Sequence, residues 1–154
     1  MNAPIAMNDA VETQEDQLIV IDVLENDTDS DGDALIVSNA FADNGTLVIN
    51  EDGTISYTPN ENFNGTDIVT YEVSDGNGGF DTATVSVSVV AVNDAPNAVN
   101  DAYTVNAGSN ATVSFIWAGY NFNTGLLGND SDAEGDAFTM TAVNGQSLVD
   151  GVAV

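Results

Sequence analysis

An acidic loop that occurs twice in the chain restricts its fold more than any other feature. The first copy, residues 25–34, reads Glu-Asn-Asp-Thr-Asp-Ser-Asp-Gly-Asp-Ala, and the second, residues 128–137, reads Gly-Asn-Asp-Ser-Asp-Ala-Glu-Gly-Asp-Ala. No lysine, arginine or histidine is present to neutralise these carboxylates. Carboxylates this close repel one another unless a hard cation lies among them, and oxygen ligands on a flexible loop suit Ca²⁺. The loops therefore predict a calcium-dependent repeat protein.

A longer internal repeat sets the domain organisation. Residues 3–10 recur as residues 95–102 at an offset of 92, whereas the acidic loops are offset by 103. The difference places an 11-residue insertion in the second copy, at residues 115–125. Each copy is too long for a solenoid repeat and should be a domain with its own core. We expect one complete domain over 1–92 and part of a second over 93–154.

Composition excludes several classes of function. Hydrophobic residues make up 43% of the chain, which is enough for a packed core despite a net charge of −25. The absence of basic residues excludes electrostatic binding to nucleic acid or to an anionic membrane surface. The absence of cysteine excludes disulfides, and the further absence of histidine disfavours zinc. Neither a membrane-spanning apolar run nor a signal peptide after Met1 is expected.

Short strand patterns dominate the first copy. Alternating apolar and small polar residues, with turn signals at 51–53 and 75–79, favour β-hairpins and leave no segment with helical periodicity. Seven strands in one domain of this length are typical of an antiparallel, immunoglobulin-like β-sandwich. The predicted strands lie near 9–13, 17–24, 34–38, 46–50, 54–58, 67–73 and 82–90.

The second copy has counterparts of the opening strands and of the acidic loop, and it has a predicted strand near 138–143. Counterparts of the strands within 46–90 are absent. Half a sandwich would expose apolar faces and sheet edges, so it should not be stable alone. We favour a piece cut from a longer protein, and completion by another chain remains the alternative.

Four motifs in order resemble one family. Residues 26–33, 57–66, 73–79 and 93–96 are similar to the tandem cadherin-like repeats of very large bacterial surface adhesins, the Ig-like extender modules of RTX-type proteins. The resemblance covers 4–92 closely and 93–154 in part. It implies a Greek-key sandwich that is secreted to the bacterial cell surface. It also implies a calcium-binding spacer, which supports cell adhesion or biofilm formation by holding an adhesin's terminal domains away from the cell.

The acidic loops supply most of the candidate calcium ligands. Asp27, Asp29 and Asp31, followed by a glycine, match the first half of an EF-hand loop, but Ser38 and Thr141 stand where its bidentate glutamate belongs. We therefore expect oxygens from elsewhere to complete the coordination. A solvated acidic turn is the alternative. The full set of loop candidates is Asp27, Asp29, Asp31, Asp33, Asp130, Asp132, Glu134 and Asp136.

A second group of candidates lies around the junction of the two copies. Asn93 and Asp94 resemble the Asn-Asp linker of cadherins, where calcium stiffens the angle between domains. Asp101 and Asp75 are expected to reach the same ion, and Asp9 is the counterpart of Asp101 in the first copy. The alternative is an ordinary linker turn, and the turn after Asp75 needs no metal to form.

Aromatic residues divide into two groups. Those of the first copy are predicted to be core residues: Tyr57, Phe63, Tyr71 and Phe80. Those of the insertion are candidates for stacking a sugar or a peptide: Trp117, Tyr120 and Phe122. The more common role of such residues is to cover a sandwich face or an interface, and we favour it.

The expected function is mechanical, and an enzyme is not expected because no His, Cys or Lys is available as base or nucleophile. Calcium should rigidify the domains, and the neighbouring repeats of the same chain should be the partners. Two alternatives stay open. One is a carbohydrate- or peptide-binding module that uses the Trp117 loop for a cell-surface ligand, and the other is a structural component of a surface layer or matrix.

Overall fold

A computed structural model describes residues 2–100, 127–137, 142–143, 146–149 and 152–153. The chain splits into two compact units, Met1–Val92 and Asn93–Val154. No helix occurs among the described residues, and so none has the length and apolarity that a membrane crossing needs. The all-β class predicted from the sequence is confirmed for this part of the chain.

Seven strands form the first unit. Their bounds are β1 Asp9–Gln14, β2 Ile19–Ile21, β3 Ile36–Phe41, β4 Gly45–Ile49, β5 Ile55–Pro59, β6 Gly65–Ser74 and β7 Phe80–Val90. In the described part of the second unit the strands are β8 Ala142–Val143, β9 Gln146–Val149 and β10 Val152–Ala153. The predicted strand over 17–24 is much shorter in the structure, because the chain turns after Ile21 toward the acidic loop. The predicted strand near 138–143 lies partly outside the described residues.

Two sheets make the sandwich of the first unit. One has the order β1-β7-β6-β3 and the other the order β2-β5-β4. The β6–β7 hairpin is the longest pairing and runs in register from Gly65 opposite Val89 to Ser74 opposite Phe80. The β1–β7 pair is parallel, whereas the sequence predicted antiparallel strands throughout. A strand at the edge of a sheet can pair in either direction, so alternation alone did not reveal this.

The core is built by period-two alternation in both sheets. In β6 the inward residues Val69, Tyr71 and Val73 are at most 1% exposed, and every second residue of β7 from Ala83 to Val89 is also buried. Ile55 and Tyr57 of β5 meet them from the opposite sheet. Burying each large apolar side chain stabilises the fold by roughly 1.5–3 kcal/mol.

The aromatic predictions for the core hold for three residues and fail for one. Tyr57 and Tyr71 are buried, and Phe63 packs against the core while remaining partly exposed. Phe80 is 53% exposed, so its assignment to the core was wrong. It begins β7 on the face opposite to Ala83 and Val85, because successive strand residues point to opposite faces.

Candidate metal site

The first acidic loop folds around the carboxylate of Asp29. Its Oδ1 accepts hydrogen bonds from the backbone N–H groups of Asp31 at 2.7 Å and Asp33 at 3.4 Å. The N–H of Gly32 donates to the carbonyl of Asp29 at 3.3 Å, and Gly32 has a φ of +79°. Glycine is the residue that adopts such a φ at no steric cost, which explains the Asp-Gly step in the loop.

Backbone N–H groups of the turn between β6 and β7 bind the carboxylate of Asp75 in the same way. The Oδ1 of Asp75 accepts hydrogen bonds from the N–H groups of Asn77 at 2.7 Å and Gly79 at 2.9 Å. These backbone donors, Asn77 first, hold the pKa of the Asp75 carboxyl below its usual value. Asp75 is only 4% exposed, and it is therefore a buried carboxylate in a chain without basic residues.

Three carboxylates from these two loops converge. Asp29, Asp33 and Asp75 each place a carboxylate oxygen within 4.8 Å of those of the other two. The Oδ2 atoms of all three are buried and have no hydrogen-bond partner. Buried anions without donors are costly unless a cation compensates them. Since Ca²⁺ binds oxygen at 2.3–2.6 Å, two ligands on opposite sides of it lie about 5 Å apart, and the cluster fits such an ion.

Gly79 makes room for this arrangement. A Cβ at position 79 would lie 2.3 Å from Oδ2 of Asp75 and 2.9 Å from Cα of Ala3. Any side chain there would push against both the cluster and the N-terminal segment. The Gly-Gly step at 78–79 therefore serves close approach as well as the turn itself.

The remaining predicted ligands of the first unit bind other parts of the chain. Asp27 accepts a hydrogen bond from the N–H of Met7 at 2.7 Å, and Asp31 accepts one from the N–H of Asn2. Asp9 accepts a hydrogen bond from the side-chain amide of Asn26 at 2.8 Å. Burial raises the pKa of Asp9 and of Asp27 above the usual value, so both differ electrostatically from Asp75.

Tyr71 lies between Asp9 and Asp27. Its hydroxyl is 3.2 Å from Oδ2 of Asp9 and 3.4 Å from both carboxylate oxygens of Asp27. It is also 2.9 Å from the carbonyl of Met7 and 3.1 Å from that of Val23. Burial, followed by the charges of the two aspartates, raises the pKa of this phenol well above its usual range. Tyr71 thus joins the core to the base of the acidic loop.

The second unit repeats the loop geometry in its described part. The N–H of Asp136 donates to Oδ1 of Asp132 at 2.8 Å, and Gly135 has a φ of +76°. Asp130 accepts a hydrogen bond from the N–H of Val99 at 2.8 Å, as Asp27 does from Met7. Oε1 of Glu134 is buried without a partner. Among the described residues, however, only Asp29, Asp33 and Asp75 form a group of three converging carboxylates.

The junction candidates are placed only in part. The side-chain amide of Asn93 donates to the carbonyl of Asp94 at 2.7 Å, and the N–H of Asp94 donates to Oε2 of Glu134 at 3.0 Å. The sequence grouped Asp75 with these residues, whereas the structure places it beside Asp29 and Asp33. The other junction candidate, Asp101, lies outside the described residues, as do the aromatic candidates Trp117, Tyr120 and Phe122.

Sequence reasoning missed two buried carboxylates: Asp67, which accepts a hydrogen bond from the hydroxyl of Tyr57 at 2.9 Å, and Glu15. Glu15 is 2% exposed, its Oε1 accepts a hydrogen bond from the N–H of Val92, and its Oε2 is buried without a partner. It follows β1 within a polar run, Gln14-Glu15-Asp16-Gln17, that looks like an ordinary surface turn. Nothing in that run distinguishes Glu15 from its exposed neighbours.

Comparisons with known proteins point to one family. A family model described as a bacterial Ig domain matches residues 1–88 and 93–154. Two solved structures, an endo-fucoidan hydrolase from glycoside hydrolase family 107 and a point variant of it, match with a TM-score of 0.44 at 20% and 21% identity. Each match covers 59% of this chain and 14% of the hydrolase chain. No curated protein sequence matches the chain.

Proposed function

The chain belongs to the bacterial Ig domain family, and we propose that it is a calcium-stabilised spacer in a surface adhesin, supporting cell adhesion or biofilm formation. Domains of this family typically occur in surface or extracellular proteins, which fits a structural spacer. On this proposal the module acts outside the cell, and its partners are the neighbouring repeats of the same protein. The adhesin's other domains would bind the carbohydrate or cell-surface ligand.

The convergence of Asp29, Asp33 and Asp75 is the observation that carries the proposal. Each of the three residues places a carboxylate oxygen within 4.8 Å of those of the other two, and the Oδ2 of each is buried without a donor, in a chain with no basic side chain. Like charges at this separation destabilise the folded loops, whereas a divalent cation among them turns repulsion into attraction. Folding and cation binding would then be coupled.

The donor set favours calcium over magnesium. In both Asp29 and Asp75 one carboxylate oxygen is held by backbone N–H groups, and the other is left for the ion. Ca²⁺ accepts six to eight oxygens in irregular geometry, so loop carboxylates and water can complete its coordination. Mg²⁺ requires a near-ideal octahedron at about 2.0–2.1 Å and loses its water reluctantly.

The energetic consequence is large for a domain of this size. One site adds about 1.4 kcal/mol to the free energy of unfolding at a calcium concentration about ten times the dissociation constant, and about 2.7 kcal/mol at about 100 times. Domains are typically stable by only about 5–15 kcal/mol. Extracellular modules bind calcium with dissociation constants of about 10⁻⁴–10⁻³ M, so such a site would fill outside the cell and stay largely empty inside it. The module would thus be looser before export than after it.

Calorimetry of the 154-residue chain tests the proposal. Thermal unfolding is measured in EDTA, in a calcium titration and in magnesium, for the wild type and for Asp75→Asn. We expect calcium to raise the melting temperature of the first unit by many degrees and magnesium to do so much less. Asp75→Asn should abolish most of the rise. Asp43→Asn, which makes the same charge change at an exposed turn, is the matched control and should keep it.

Two outcomes would reject this function. If the melting temperature of the wild type did not depend on calcium, the acidic loops would be solvated turns. If Asp75→Asn and Asp43→Asn responded equally to calcium, the ion would bind somewhere other than at the three converging carboxylates.

A further inference from the structure

The N-terminal residues 2–7, here called the leading segment, lie along the first acidic loop. The N–H of Ile5 donates to the carbonyl of Thr28 at 2.8 Å, and the N–H of Thr28 donates back to Ile5 at 3.1 Å. The N–H of Met7 donates to Oδ1 of Asp27 at 2.7 Å. The N–H of Asn2 donates to the carboxylate of Asp31. The loop thus presents a row of acceptors to the backbone of the leading segment.

The leading segment also touches the second loop of the metal site. The N–H of Ala6 donates to Oδ2 of Asp81 at 2.9 Å, just beyond the β6–β7 turn. Cα of Ala3 lies 2.9 Å from the position that a Cβ of residue 79 would occupy. The segment therefore spans both loops that supply the converging carboxylates.

Apolar burial contributes little to holding the leading segment. The side chains of Ile5 and Met7 are 57% and 53% exposed, and only Pro4 is fully buried. Ala6 packs against the core and bonds to Asp81, and Met7 accepts a bond from Tyr71, but most of the segment's hydrogen bonds go to the acidic loop. Exposed bonds of this kind open locally at low cost when their acceptors move.

The second unit attaches its own leading residues in the same manner. Asn97 and Ser131 exchange backbone hydrogen bonds at 2.7 and 3.1 Å, as Ile5 and Thr28 do. The N–H of Asp94 donates to Glu134, which is the counterpart of the bond from Asn2 to Asp31. Ile5 of the first copy corresponds to Asn97 of the second, yet both make the same backbone hydrogen bonds. The acceptors therefore recognise the path of the backbone and not particular side chains.

From this juxtaposition we propose that cation binding at Asp29, Asp33 and Asp75 controls whether the leading segment is attached to the domain. The inference rests on the proposed calcium site and adds a role for it. With an ion, the loop over 27–33 holds the conformation that presents its acceptors. Without one, mutual repulsion of the three converging carboxylates opens the loop, and the hydrogen bonds to Asp27, Thr28 and Asp31 are lost. The chain leading into a repeat would then be ordered by the ion of that repeat.

Amide hydrogen exchange, read by NMR on the 154-residue chain, tests this inference. Protection of the Ile5 and Met7 amides is compared in calcium and in EDTA, with Val85 in the centre of β7 as the internal reference. Calcium binding itself is measured separately, by titration calorimetry. At about 100 times the dissociation constant, an amide whose opening releases the ion gains about 100-fold in protection. An amide that opens without releasing the ion gains nothing.

We expect Ile5 and Met7 to gain protection by the same factor as Val85, and Asp75→Asn to remove the gain while Asp43→Asn keeps it. Asp75 accepts no hydrogen bond from Ile5 or Met7, so its substitution removes no bond of either amide directly. If calcium binds and Val85 alone gains protection, the inference is wrong although the calcium site stands. If no calcium binds, both the site and the inference fail.

Discussion

The substitution Gly79→Ala tests the steric basis of the metal site. The added Cβ would lie 2.3 Å from Oδ2 of Asp75 and 2.9 Å from Cα of Ala3, and real Cβ atoms do not approach that closely. One neighbour is backbone and cannot move cheaply, so the Asp75 carboxylate must shift. Oδ2, which is buried without a hydrogen-bond partner, is the atom that the methyl group displaces.

Two separate effects follow, and they have different sizes. Overpacking of this kind costs about 1–3 kcal/mol of stability whether or not calcium is present. The displaced carboxylate should also weaken calcium binding. A tenfold weaker site would reduce the stabilisation by calcium from about 2.7 to about 1.4 kcal/mol at the same ion concentration. In a unit of this size that difference lowers the calcium-induced rise in melting temperature by about 5–10 °C.

Gly76→Ala is the control in the same turn. Gly76 has a φ of +71°, and a Cβ there would meet no atom within 4 Å. The substitution should cost about 1–2 kcal/mol of backbone strain while leaving the calcium-induced rise intact. Both variants are compared with the wild type by calorimetry in EDTA and in calcium. An undiminished rise in Gly79→Ala would refute the assignment of Asp75 as a ligand.

Two further predictions concern the hydrogen-bonded group of Tyr71, Asp9 and Asp27 at the base of the acidic loop. Tyr71→Phe removes a buried hydroxyl that bonds to charged partners, and it should lower the free energy of unfolding by about 1.5–3 kcal/mol. A denaturant titration measures this change, and a loss below about 0.5 kcal/mol would contradict the hydrogen bonds of Tyr71 to Asp9 and Asp27. Because the folded-state pKa values of Asp9 and Asp27 are raised, ionisation of these groups destabilises the fold above those values. In EDTA, the free energy of unfolding of the wild type should therefore rise relative to that of Asp9→Asn as the pH falls from neutral toward 3.8, the ordinary aspartate value. A relative loss of wild-type stability over the same pH range would refute the raised pKa of Asp9.

Periodicity explains why so much of the fold could be predicted from the sequence. The alternation in β6 and β7 specifies which residues face the core. Glycines at 76 and 78 adopt the positive φ angles that the turn between the two strands needs. Alternation does not specify where a strand begins or what pairs with its edge. For that reason Phe80 was wrongly assigned to the core and the parallel β1–β7 pair was not foreseen.

For the candidate site, too, the sequence predicted some features and not others. All three converging carboxylates were predicted as calcium ligands, but Asp75 was grouped with the junction and not with the acidic loop. Spacing within a loop shows which carboxylates are neighbours along the chain, and it carries no information about a partner on another turn. The burial of Glu15 had no sequence signal either, because its neighbours are ordinary polar residues.

The sequence by itself determined that this chain is a repeated β protein with acidic loops and no basic residue to neutralise them. Those properties follow from local pattern and composition, which act over a few residues. Only the tertiary structure decided that Asp29 and Asp33 meet Asp75, while Asp27 and Asp31 bind the backbone of the leading segment. The β6–β7 hairpin brings its turn to the same end of the sandwich as the acidic loop. Contacts between residues so distant in sequence arise from the pairing of whole strands.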